Sequence, residues 1–393
     1  MINKNRLIKL TQKLISIKSE NPGGDEHQIA LFLKGYFGRI GLKARIYEFK
    51  HRRSNLVVWL KGENTGRSLL ISPHLDTVPA GKNWRFPAFG AVIRNNRIYG
   101  RGASDCKGNL AAGVESINSL IEDNVTLGYN LIFAATADEE AGSGWGLVPL
   151  LSKGILKPES AVILDASEFD IIVTQKGLIH LKIKVQGKKA HGAYPRQGEN
   201  AIDQAIDAIK EMEKFRFRYQ PSPLLKGPTL NLGTIHGGDK VNIVSDWCEF
   251  ELDLRLLPGM PERYILNTVK DIVKKHAPKF KIEITAIQRP YEIDRGHPLV
   301  GCLVRAAKDF KIKARVAGSE GATVATLFQK KACVIRDSLS DFYTKTRRIR
   351  DIPAVAFGLA SAGCAHVSDE YVNINNLFYG TKVLERFLKI YKF

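Results

Sequence analysis

The chain has no apolar run near the roughly 20 residues that span a bilayer, so no transmembrane helix is expected. Cysteine is scarce. Its five residues (Cys106, Cys248, Cys302, Cys333 and Cys364) are far apart and odd in number. That excludes a disulfide framework and a cysteine zinc knuckle, and it favours a reducing cytoplasm. Internal repeats and low-complexity tracts are absent, so solenoids and tail-like segments drop out. A secretory leader is not expected either, because the first lysines alternate with Leu7, Leu10, Leu14 and Ile17 at helical spacing. Acidic residues are in deficit, 40 against 59 Lys and Arg, for a net charge of +19. The excess is dispersed, with one local maximum at 329–350, where seven basic residues face two Asp. No zinc finger, aromatic RNP-like strand or basic recognition helix accompanies it. Steering of anionic small molecules or a solubilising surface explains the charge as well, and no nucleic-acid or membrane partner is expected.

What is present is ordinary in bulk: 44% hydrophobic and 25% charged residues. At 393 residues the chain exceeds one ordinary core, and two domains are the prior. Amphipathic helices are expected at 5–17 and 26–40, separated by a Pro/Gly turn, with strands at 43–49, 55–60 and from Ser68. A hairpin around Arg94-Asn-Asn-Arg97, a helix from Asn109 to about Ile121, and strands from Tyr129 and Ser160 continue an alternating α/β half. From Lys176 the texture changes. Strands at 177–186, 229–235, 247–256 and 281–287 interleave with helices at 200–212 and 262–276. That order, βαββαβ, is the ferredoxin-like split βαβ arrangement. A further buried strand at 351–358 returns to the first half. The pattern is one domain inserted in another: 1–175 with 290–393, a mixed sheet flanked by helices, and 176–289, an α+β lid.

Chemistry-bearing residues gather where apolar runs stop. The run from Tyr129 ends in Glu139-Glu140, and consecutive carboxylates at a strand end point to opposite sides. One can hold a cation while its neighbour works as a base on a cation-bound water. Ser68–Pro73 runs into His74-Leu-Asp76, Ile98–Ser104 into Asp105, and Ser160–Leu164 into Asp165. Sites in open α/β sheets collect at such carboxyl ends, which points to a metal-dependent hydrolase. Each residue has a plainer reading alone. Asp105 before Lys-Gly suits a helix cap, Glu139-Glu140 a solvated loop, His74 a satisfied core. Their joint order makes the difference.

Five motifs, S-P-H-L-D-T-V-P-A-G (72–81), G-R-G-A-S-D-C-K-G (100–108), A-D-E-E-A-G-S (137–143), A-H-G-A-Y-P (190–195) and A-H-V-S-D-E-Y-V (365–372), stand in the order of one known family. From the first helix to Asn373 the chain resembles the dinuclear zinc hydrolases that include acetylornithine deacetylase, succinyl-diaminopimelate desuccinylase, aminoacylase and glutamate carboxypeptidases. The resemblance implies a zinc-exopeptidase-like catalytic domain with an inserted lid and dimerisation domain, and a homodimer. It implies two zinc ions, with cobalt as a substitute. Asp105 would bridge them, His74 and Asp165 would complete one, and Glu140 and His366 the other. Glu139 would be the general base on a shared water, Asp76 the residue that fixes an imidazole, and the Asp105-Cys106 peptide cis. His191 would stabilise an oxyanion, often across the dimer, while Asn242 and Arg255 would hold the substrate's carboxylate. A surface histidine and a strand-surface charge are the plain readings of His191 and Arg255.

The implied activity is cleavage of the amide bond of an N-acyl amino acid in amino-acid metabolism. The alternative is a carboxypeptidase or dipeptidase with the same chemistry. Three departures matter. L-D-A-S (164–167) gives Asp165 where deacylases more often carry Glu and peptidases Asp. The loop G-S-E-G-A-T-V-A-T (318–326) lacks the usual Asp and Arg, leaving Glu320 as a substitute anchor. The 329–350 segment is longer and more basic than the family pattern.

Overall fold

A computed structural model describes residues 1–321, 323–329, 334–335 (backbone), 351–359 and 364–393. The basic 329–350 segment lies almost wholly outside the described residues. Among those described, no helix is long and apolar enough to cross a membrane.

A nine-stranded mixed sheet forms the larger body. Its order is Ala44–Glu48, Ser54–Leu60, Asn130–Ala135, Ser68–Ser72, Ser160–Ile163, Ala354–Phe357, Asp170–Gln175 and Tyr291–Glu292, with Arg315–Ser319 also pairing Asp170–Gln175. Four central strands run parallel: Ser68–Ser72 pairs in parallel with Asn130–Ala135 and Ser160–Ile163, and Ala354–Phe357 with Ser160–Ile163. These strands are almost continuously apolar because both faces are covered. The helix Lys107–Glu122 is buried along residues 107–120, lying between the sheet and the helices Lys4–Ser16 and Ile374–Ile390. Gly113 allows that approach, since a Cβ there would stand 2.8 Å from the Phe133 ring. The Asn95-Asn96 hairpin turns between Val92–Arg94 and Arg97–Tyr99, with φ of +49° and +58°. Asn tolerates that left-handed pair.

The second body is antiparallel, ordered Thr229–Gly237, Trp247–Leu256, Gly177–Gln186 and Phe280–Gln288, with Val334–Ile335 pairing the last strand. In chain order this is the 4-1-3-2 arrangement of the ferredoxin-like fold, with the helices Ala201–Lys214 and Glu262–His276. Burial alternates along Gly177–Gln186 and Trp247–Leu256. The inward residues share with both helices a hydrophobic cluster separate from that of the large sheet. The outward residues form an ion-pair lattice in which Lys182 meets Glu249 and Glu251, each at 3.0 Å.

The two crossings between the bodies are pinned to one loop. Gln175 and Gln288 both donate to the Thr323 carbonyl, at 2.8 and 3.1 Å. Lys176, buried, pairs with Glu320 at 2.6 Å. Glu320 also accepts the Lys226 N–H at 2.8 Å, so its carboxylate ties lid to sheet at the crossing.

Candidate metal centre

The carboxyl ends of the four parallel strands converge. Ser68–Ser72 leads through Pro73 to His74, Asn130–Ala135 to the 138–140 turn, Ser160–Ile163 to Asp165, and Ala354–Phe357 toward the segment bearing His366. Among the described residues, potential ligand atoms fall in three clusters, each within 4.8 Å: His74, Glu139 and Asp165; Asp105, Glu140 and His366; and His74, Asp105 and Cys106. Asp105 joins them. One of its oxygens lies 2.8 Å from His74 Nε2 and the other 3.2 Å from His366 Nε2. His366 Nε2 is also 3.2 Å from Glu140. A carboxylate with one oxygen toward each imidazole is placed to bridge two cations.

The electrostatics follow from this crowding of charged groups. Burial, followed by the Asp105 charge, pushes Asp165 up to about 7. Burial, with Asp165 and then Glu140 and Asp105 nearby, raises Glu139 well above the usual carboxylate range. Burial alone would raise Asp105 as well, but hydrogen bonds to His366 and His74 hold it well below its ordinary value. Those bonds, Asp105 before Glu140, lift His366 to about 10. Burial works against the charged form of His74, yet Cys106, Asp105 and Asp76 more than reverse it, raising its pKa. Asp165, Glu139, His74 and His366 are thus all shifted toward their protonated forms around the shared Asp105. Neutral imidazoles and carboxylates at this spacing fit divalent cations that would displace those protons. Cys106, though it clusters with His74 and Asp105, is the poorest donor of the group. Burial pushes its thiol up to about 12, and its sulfur accepts the His74 N–H at 3.2 Å.

Supporting groups set the loops. His74 Nδ1 faces the Asp76 carbonyl at 3.0 Å and the Asp76 carboxylate at 3.5 Å, leaving Nε2 for the centre. The Asp76 carboxylate itself accepts the N–H groups of Glu139 and Glu140 at 3.0 and 3.1 Å, and Asn21 Nδ2 at 2.9 Å. Burial raises Asp76, but the His74 hydrogen bond and charge, with these donors, bring it below its ordinary value. The Asp105-Cys106 peptide is cis. Glu370, fully buried, accepts N–H bonds from Gly102, Ser104 and Asp105 at 3.0, 2.8 and 2.9 Å and pairs with Arg101 at 2.6 Å. Glu370 lies inside the motif A-H-V-S-D-E-Y-V, where a carboxyl four residues from His366 was the available signal for this role.

The lid residues are not members of these clusters. His191 and Asn242 meet on one short ladder, where Ala190–His191 pairs Ile243–Val244 and the Gly192 N–H donates to the Asn242 carbonyl at 2.8 Å. His191 is exposed. Arg255 is paired with its strand neighbour Asp253 at 2.8 Å.

Fold and site define a metal-dependent hydrolase of the exopeptidase-like α/β class, with a ferredoxin-like insertion. Comparison with known proteins agrees. Residues 173–281 match the peptidase dimerisation domain and residues 55–215 match peptidase family M28. Acetylornithine deacetylase of Vibrio campbellii is 30% identical over 299 residues, 73% of this chain and 78% of that protein. The Vibrio atlanticus enzyme of the same name is 26% identical over 392 residues, 96% of each chain. A tripeptidase structure from Staphylococcus aureus superposes with a TM-score of 0.79 at 24% identity, covering 99% of both chains, and shares the fold. The chain belongs to the metallohydrolase family that contains acetylornithine deacetylase, and it is an enzyme that hydrolyses amide bonds.

Proposed function

We propose that this enzyme removes the acyl group from an N-acyl amino acid, in the manner of acetylornithine or succinyl-diaminopimelate. The observation that carries the chemistry is Asp105, one oxygen to each imidazole. Similarity to two acetylornithine deacetylases supports the substrate class. In this reading Asp105 would hold both of two zinc ions, His74 and Asp165 one, and Glu140 and His366 the other, and cobalt could replace them. Bound there, the metals would polarise the amide carbonyl and acidify a shared water. Glu139 takes a proton from that water and delivers it to the departing amine. Its raised pKa suits a group that must hold the proton between those steps. Asp76 keeps His74 and the Glu139 turn in place. His191 donates to the oxyanion, and Asn242 and Arg255 receive the substrate's carboxylate once Arg255 turns from Asp253.

We also infer a homodimer, cytoplasmic, built of two units, 1–175 with 290–393 and 176–289. The separate cores support the division. The match to a dimerisation domain supports the pairing, as does the outer strand Thr229–Gly237 with exposed Ile235 beside exposed Trp247 and Val241. The four described cysteines are buried, and Cys106, Cys248 and Cys302 are free, as suits a reducing compartment. Asp165 favours a second reading, a carboxypeptidase or dipeptidase. A panel of acetyl-ornithine, succinyl-diaminopimelate, acyl-glutamates and dipeptides, assayed with zinc or cobalt, decides. Turnover confined to dipeptides overturns the deacylase reading.

A further inference from the structure

The turn that carries Glu139 and Glu140 closes through the Gly142 N–H to the Glu139 carbonyl at 2.9 Å and the Ser143 N–H to the Asp138 carbonyl at 2.5 Å, but its ends are left-handed. Asp138 has φ +64° and Ser143 +60°, left-handed values that non-glycine residues adopt only when their surroundings require it. Between them lies a single short turn of 3₁₀ helix, Glu139–Ala141, with no side-chain cap. Something behind the turn must fix it. Asp76 holds the 139 and 140 N–H groups, but what fixes Asp138 comes from elsewhere in the fold. Its N–H donates to Glu26 at 3.2 Å. One carboxylate oxygen accepts the Trp145 N–H at 3.1 Å, and the other accepts Arg53 Nη2 at 2.8 Å and Asn21 Nδ2 at 3.3 Å. Arg53 Nη2 reaches Glu26 as well, at 2.8 Å.

Arg53 is therefore the cation shared by two carboxylates that are almost fully buried, as it is itself. Taking such charges out of water is tolerated only while they stay paired. The guanidinium has no freedom to wander, because Gly24 packs on it. A Cβ at Gly24, where φ is +49°, would overlap the guanidinium. Neither Arg53 nor Glu26 belongs to the ligand clusters.

We propose that Arg53, clamped between Glu26 and Asp138 and backed by Gly24, is a positioning residue that sets the aim of the Glu139 carboxylate. The proposal rests on Glu139 being the base. Arg53 touches no reacting atom; it acts through the backbone of Asp138. Arg53→Lys keeps the charge, but the lysine ammonium stops one bond short of Nη2, the single nitrogen that meets both carboxylates. Gly24→Ala displaces the guanidinium without altering any charge.

The test measures kcat, KM, zinc per chain by elemental analysis, and melting temperature for both variants, alone and in the Glu139→Ala background. Loss of a group supporting a metal site typically costs about 10–100-fold, and that fall is expected in kcat, with KM changed by less than about threefold. Two zinc ions per chain should remain. In the Glu139→Ala background the same substitutions should lower the residual rate hardly at all, since both changes would remove one function. Folded Arg53→Lys and Gly24→Ala proteins with wild-type kcat, beside an inactive Glu139→Ala, overturn the positioning role alone. An equal fractional loss with and without Glu139 also overturns it, by showing a general structural effect. Full turnover in Glu139→Ala overturns the base assignment, and this proposal with it.

Discussion

Glu139 and Glu140 are neighbours in the chain but fall into different ligand clusters, Glu139 with His74 and Asp165, Glu140 with Asp105 and His366. Glu140 lies within hydrogen-bond distance of His366, whereas Glu139 has a raised pKa and three carboxylates as electrostatic neighbours. The proposed roles divide accordingly. Glu139→Ala should keep two zinc ions and lose turnover by about 10⁴-fold or more, at the top of the range for removing a general base, because the same carboxyl also serves the leaving amine. Glu140→Ala should lose metal, with activity partly restored at high zinc. Elemental analysis and kcat on the two proteins check this, and an empty Glu139→Ala beside a loaded, inactive Glu140→Ala would exchange the roles. His74, Glu140 and Asp165 were legible in the sequence because each follows an apolar run that becomes a parallel strand, while Asp105 follows the antiparallel strand Arg97–Tyr99. Arg53 and Glu26 were not. They reach Asp138 across 85 and 112 residues, and no local pattern joins positions so far apart.

Loops and strands show a similar split. The lid was readable in full order because its strands alternate inward apolar with outward charged residues and its helices carry clear stripes, Ala201, Ala205 and Ile209 among them. Asn200 caps the first of these helices, accepting the Ile202 N–H at 3.0 Å. The strand Asp170–Gln175 escapes a pattern search because all six residues are buried and nothing alternates. The helices Pro298–Lys308 and Ile374–Ile390 are also absent from the expected elements, although Pro298 at the first turn and the Asn373 cap announce them. Buried charge is harder to read still. Glu370, one residue before the strand Tyr371–Asn373, holds the whole 101–105 loop. Removing one member of a buried ion pair typically costs about 3–5 kcal/mol, so Glu370→Ala should lose about that much stability by leaving Arg101 and three N–H groups without their acceptor. It should also weaken metal binding through Asp105. Urea unfolding and zinc titration test both, and a variant of wild-type stability with normal zinc affinity would deny the loop this support.

At the scale of the molecule, the lid places His191 and Asn242 together on a short ladder, and neither belongs to the ligand clusters of the large sheet. Tyr194 and Val241, on the same loops, are exposed apolar residues, and Lys189 with Trp247 fixes the Asp239 end of the second loop. Such an arrangement suits a surface that completes a site on a second copy of the chain. In a symmetric dimer the two copies present the same patch to each other, so mixing variants separates action within a chain from action between chains. Glu139→Ala and His191→Ala proteins, each nearly inactive, are unfolded together and refolded. If His191 serves the partner, half the dimers are mixed, and each mixed dimer has one complete site. Recovery should then approach about a quarter of wild-type activity. If His191 serves its own chain, every site lacks one of the two groups and no activity returns. Sedimentation of the refolded mixture must show dimers for either result to count. A monomer at micromolar concentration with wild-type turnover would remove the partner from the mechanism altogether.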